Sequence, residues 1–141
     1  MKVDRNRPLA GAHHDLDLAH RSLNEVYFDG LLESRVYWGI HEAGDGTSFT
    51  QAEAYTDTGV VIVSPVLDVS WLPKYYFNFV VFHEMLHVLH KDVGKAVLAG
   101  DVYHTVEFFR SEARFAHVER ARAWLEKNND RLLRRSKKVR L

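Results

Sequence analysis

Apolar positions along residues 14–28, HDLDLAHRSLNEVYF, recur at helical spacing: Leu16, Leu18, Ala19, Leu23, Val26 and Tyr27. Asp15 is placed to cap that helix and Gly30 to end it. The period then changes. Residues 35–41, RVYWGIH, read as a strand, 43–48 as a turn cluster, and 49–56, FTQAEAYT, as a loosely alternating second strand. After a turn at 57–59, the β-branched run 60–64, VVIVS, reads as a buried strand, and Pro65 and Pro73 bracket the next connection. Residues 74–91, KYYFNFVVFHEMLHVLHK, predict a long helix that is apolar on most sides, and such a helix belongs in the middle of a domain. Gly94 and Gly100 mark a loop around 92–103. Residues 104–127 return to helix with a break expected near Phe115, and Phe108, Phe109, Phe115, Val118, Trp124 and Leu125 are expected to form the buried face. Helix, three strands, helix, helix is the order of an α+β fold.

Composition narrows the class. A chain of 141 residues with 46% apolar and 27% charged residues is expected to fold as one globular domain, with no repeat or linker to divide it. The expected organisation is a domain over 1–127 and a short basic tail over 128–141. The absence of cysteine excludes disulfides, iron–sulfur clusters, a thiol nucleophile and a cysteine zinc ribbon. The longest apolar runs, 60–63 and 79–82, are too short to span a bilayer, and the N-terminus lacks the apolar core of a secretory signal. A cytoplasmic protein is expected.

The zero net charge conceals an asymmetry. Residues 127–141 hold seven Lys/Arg against one acid, whereas the remainder holds twelve basic and eighteen acidic residues. Arg131, Arg134, Arg135, Lys137, Lys138 and Arg140 are therefore a candidate nucleic-acid contact through phosphate neutralisation. The alternative is a solvated tail, since no aromatic residue among them offers a stacking platform.

Nine histidines draw attention to metal chemistry. His83-Glu84-Met85-Leu86-His87 is an H-E-x-x-H sequence on the predicted central helix. Residues four apart share a helix face, so both imidazoles can grip one zinc ion. Glu84, next to the first ligand, is suited to take a proton from a zinc-bound water. Two histidines and a glutamate on so apolar a helix are costly to bury without partners, which favours a metal site over chance packing. A third protein ligand is required. His90 shares the face but sits beyond the pair, and is expected to pack or to support the site from behind. The H-E-x-x-H-x-x-G-x-x-H class is excluded, because His90 and Val93 stand where Gly and His are needed. His104 is the better candidate, and Glu107 or Glu112 could instead supply a carboxylate. Periodicity leaves these three open.

Four stretches resemble the SprT-like metallopeptidase family, which includes the Spartan proteases acting on DNA–protein crosslinks. They are LNEVYF at 23–28 followed by Trp38, VIVSPVLDVSWLP at 61–73, VVFHEMLH at 80–87, and HTVEFFRSEARF at 104–115, similar to the family's H-x-x-x-F segment. Together they span most of residues 15–127. The resemblance implies a minimal zincin-like domain with His83, His87 and His104 as zinc ligands and Glu84 as general base. It implies a zinc endopeptidase, with DNA-associated proteins as a candidate substrate class. The crosslink-processing members often carry a C-terminal zinc ribbon or finger, which a chain without cysteine cannot form. In zincins an extended substrate pairs with an edge strand above the metal, a role open here to 49–56 or 35–41. Tyr103, beside His104, is a candidate oxyanion donor, weighed against an ordinary packed or surface tyrosine. The competing reading is a non-catalytic, zinc-stabilised module that binds nucleic acid or protein. A further variant is a peptidase restrained by residues 1–12 or by the tail.

Overall fold

The computed structural model describes residues 1–91 and 104–141. The elements are α1 (Leu16–Phe28), β1 (Arg35–Trp38), β2 (Ala52–Tyr55), β3 (Val60–Val63), a 3-10 turn (Pro65–Leu67), α2 (Lys74–His90), α3 (Val106–Glu112) and α4 (Val118–Ser136). The fold is α+β, with four helices and a small mixed sheet among the described residues. No helix among them is long and apolar enough to cross a membrane. The loop expected around 92–103 and the candidate oxyanion donor Tyr103 lie outside the described residues.

Asp15 caps α1 as its sequence position predicts: the carboxylate accepts from the Leu18 N–H at 3.0 Å. The chain leaves α1 through Asp29 at φ 54° and Gly30 at φ 72°, a left-handed exit that glycine makes cheaply. The buried stripe of α1 is Leu16, Ala19, Leu23 and Phe28. Leu18 and Val26, expected on that face, are instead 52% and 69% exposed. Leu18 is two positions from Leu16, about 200° around the helix, and so points away from the core.

The sheet order is β1-β3-β2, with β1 parallel and β2 antiparallel to the central β3. The two outer strands are shorter than the 35–41 and 49–56 expected. Val61, Ile62 and Val63 are buried, which explains the unbroken β-branched run. Against this sheet lies α2, whose Tyr76, Phe77, Val81, Phe82, Met85 and Leu86 are buried. It packs on α1, the sheet, α3 and α4, as an all-round apolar helix should.

The N-terminal segment is tied to β1. The Asp4 N–H donates to the Trp38 carbonyl, and the Ile40 N–H to the Lys2 carbonyl, both at 2.8 Å. Behind it, the buried Asp68 carboxylate accepts the backbone N–H groups of Ala12, His13 and His14, each at 2.9 Å. Gly11 is required beside that carboxylate, since a Cβ there would meet Asp68 Oδ2 at 2.6 Å. Replacing Asp68 by Ala strands three donors. We expect a loss of about 3 kcal/mol in urea unfolding, and faster amide exchange at Gly11 and Leu16, whose N–H bonds to the His14 and Leu9 carbonyls flank the released segment.

The last helix runs past the expected end at 127, to Ser136. Its stripe Val118, Ala121, Leu132 and Ser136 is buried among charged residues that mask it in the sequence. Arg135 donates from Nε to the Val66 carbonyl at 2.8 Å, and the Arg131 guanidinium stands 3.9 Å over the Trp71 ring. Five of the six candidate phosphate contacts are exposed: Arg131, engaged with Trp71, and Arg134, Lys137, Lys138 and Arg140 in the last turn of this helix or beyond it.

Candidate metal centre

His83 and His87 stand one turn apart on α2, half-buried, and His104 meets them from the residue before the Thr105 cap of α3. The Thr105 hydroxyl accepts from the Phe108 N–H at 3.0 Å and fixes where α3 begins. The Nε2 atom of His83 lies 3.2 Å from Nε2 of His87 and 3.1 Å from Nε2 of His104. One ring nitrogen from each of the three lies within 4.8 Å of the others, close enough to hold one metal ion. Two imidazole nitrogens bound tetrahedrally at 2.0–2.1 Å would be about 3.3 Å apart, so the donor spacing fits zinc.

The tautomer of His83 follows from its other nitrogen. Its Nδ1 lies 2.5 Å from Oε2 of Glu112, whose Oε1 accepts from Arg122 Nη2 at 2.8 Å. Burial pushes the Glu112 carboxyl up, but the hydrogen bonds and charges of His83 and Arg122 outweigh it and hold it below the ordinary glutamate value. An ionised carboxylate only accepts, so the proton sits on Nδ1 of His83. The Nε2 lone pair then faces the other two histidines.

Phe108 floors the cluster. It is fully buried, and its ring centroid lies 4.9, 4.4 and 4.9 Å from those of His83, His87 and His104. The His87 ring is stacked on it at 29° and the His83 ring stands edge-on at 73°. Phe79, one turn before His83, and Phe115 line the adjoining side.

The other expected residues fall as follows. Glu84 is half-buried on α2 beside His83. Of the three candidates for a third ligand, His104 joins the pair. Glu107 is exposed, and Glu112 is turned to the far side of His83. His90 packs toward α3, with Nε2 3.0 Å from Ser111 Oγ. Sequence reasoning missed the supporting role of Glu112, the presence of Arg122, and Phe108 as a platform beneath the ligands. The i, i+4 row His104, Phe108, Glu112 carries part of that signal, because such a row shares one helix face. No family model, curated protein or solved structure matches the chain.

Proposed function

We propose that this chain is a zinc-dependent endopeptidase of zincin-like, SprT-like architecture. The observation that carries the reading is the convergence of three Nε2 atoms at zinc-ligand spacing, with Glu84 at the adjacent helix position. When bound, zinc supplies Lewis acidity to the scissile carbonyl and lowers the pKa of a water to about 7. Glu84 takes that water's proton on its carboxylate and later delivers it to the leaving amine nitrogen. Imidazole at all three positions would leave the protein ligands neutral, so a zinc ion held by His83, His87 and His104 would keep its full positive charge to offer a developing oxyanion.

The sheet supplies a strand edge for an extended substrate. The outer side of β1 is engaged near its end by Lys2 and Asp4. Among the described residues no strand pairs with the outer side of β2, which packs against α2. The Gln51 carbonyl accepts from the Ser64 N–H, which sets the antiparallel phase and turns the backbone groups of Ala52 and Ala54 outward. That makes β2 the strand proposed to align substrate. Ala54→Pro removes one outward N–H and leaves the β3 ladder intact. It is expected to lower kcat/KM on an extended peptide by up to about tenfold, one hydrogen bond's worth, with no loss of zinc.

DNA-associated proteins are the proposed substrate class, with Arg134, Lys137, Lys138 and Arg140 contacting the nucleic acid. The test is cleavage of an unstructured protein and of a DNA-binding protein by zinc-loaded and chelator-stripped enzyme, each with and without single-stranded DNA. Zinc-dependent cleavage supports the peptidase. DNA stimulation that falls with rising salt supports the nucleic-acid contact. Bound zinc with no cleavage of either protein would favour a non-catalytic, metal-stabilised module.

A further inference from the structure

We infer that Glu112 and Arg122 form a positioning relay from α3 and α4 that fixes His83 as a metal ligand. The inference rests on the metal-centre reading above, though not on the peptidase activity proposed for it. Three observations carry it. Glu112 is 4% exposed, so a carboxylate has been buried at this point and both of its oxygens are engaged. Its Oε2 accepts from the Nδ1–H of His83 at 2.5 Å, which holds the ring in the tautomer and orientation that aim Nε2 at His87 and His104. Its Oε1 is held by the Arg122 guanidinium at 2.8 Å, and Arg122 also reaches Glu119 at 3.4 Å along α4. Only a carboxylate accepts on both sides; a glutamine would turn its NH2 toward one donor or the other.

The arrangement has a physical consequence. A metal-bound imidazole whose far N–H meets a carboxylate is a stronger base toward the ion and cannot rotate out of the site. Arg122 keeps Glu112 aimed, so the docking of α4 reaches the metal site through two hydrogen bonds. His83 and Glu112 are 29 residues apart, and Glu112 and Arg122 a further ten. The relay therefore exists only when α2, α3 and α4 are packed together.

The test measures zinc affinity by chelator competition, the visible absorption of the Co2+-substituted protein, and the thermal midpoint of the apoprotein. It compares the full chain with Glu112→Gln, Arg122→Ala and the double variant. Glu112→Gln is expected to weaken zinc binding by about 10- to 100-fold and to alter the Co2+ spectrum. Arg122→Ala, which removes a half-exposed side chain and no apolar core, is expected to weaken zinc severalfold. In the double variant Arg122→Ala should add nothing, because its effect passes through Glu112. A lowered apoprotein midpoint with unchanged zinc affinity and Co2+ spectrum would show a purely structural ion pair and overturn the relay. Additive losses in the double variant would overturn the path through Glu112. A wild-type chain that binds no zinc would overturn the metal centre and the relay together. Wild-type zinc binding without proteolysis would count against the peptidase alone.

Discussion

Glu84→Gln is expected to keep its zinc and lose about 10²- to 10⁴-fold in kcat for peptide hydrolysis. The amide nearly matches the carboxylate in volume, so α2 and its packing are preserved. What it lacks is a site that can take a proton and give it back. The three ring nitrogens that fit zinc come from His83, His87 and His104, so zinc affinity should stay within about twofold of wild type, well under the 1.4 kcal/mol that a tenfold change represents. The loss should fall on kcat with KM nearly unchanged, the pattern of a group that acts only as the bond breaks. Glu84→Asp adds a second reading, because it keeps the base but draws it back by one methylene. Misplacement on the order of 1 Å costs about 10²-fold, so this variant should stay defective despite its charge. Steady-state kinetics on zinc-loaded protein, with metal content measured alongside, decide the matter. Wild-type turnover in Glu84→Gln would remove Glu84 from the chemistry.

The central helix and its histidine pair were legible in the sequence for a simple reason. An apolar run with His at i and i+4 specifies helix, burial and a shared face within a few consecutive residues. The Asp15 cap was legible on the same local grounds. Other features depend on which elements meet. Val26 fits the apolar pattern of α1 yet is exposed, because the neighbours that cover Leu16 and Leu23 do not reach it. The end of α4 reads as a tail because arginines and lysines outnumber apolar residues there, yet Leu132 and Ser136 are buried and Arg135 bonds the Val66 carbonyl. The choice among His104, Glu107 and Glu112 could not be made from periodicity, because all three lie within nine residues. What separates them is the angle at which α3 returns to α2. That angle turns His104 toward His83 Nε2, Glu112 toward His83 Nδ1 and Glu107 toward solvent. Arg122 carries no local signal at all: its role is set by a contact between two helices.

Phe108→Ala should have the largest effect on stability, a loss of about 3–5 kcal/mol. The ring is fully buried, and the alanine leaves a cavity under three imidazoles that are held by contact with it. Set against a total of about 5–15 kcal/mol for a domain, that loss should lower the apoprotein's thermal midpoint by about 10–20 °C. The same ring bounds the core and the ligand set, so zinc affinity should fall with stability. Phe108→Leu, which restores much of the volume but not the flat stacking surface under His87, separates the two contributions. It should recover most of the midpoint while zinc binding stays weakened. Zinc binds only the folded form and should stabilise every variant in proportion to its remaining affinity, by about 4 kcal/mol at a thousandfold excess over Kd. Calorimetry with and without zinc on the Phe108 series therefore reads both properties at once. In Phe108→Ala zinc affinity and apoprotein stability should decline together. In Arg122→Ala, where no apolar core is removed, zinc affinity should move with a smaller loss of stability than in Phe108→Ala, that of one buried carboxylate oxygen losing its donor. If the Phe108 variants instead kept wild-type zinc affinity, the imidazoles would be held by α2 and the Glu112 contact alone, and the ring beneath them would be core and nothing more.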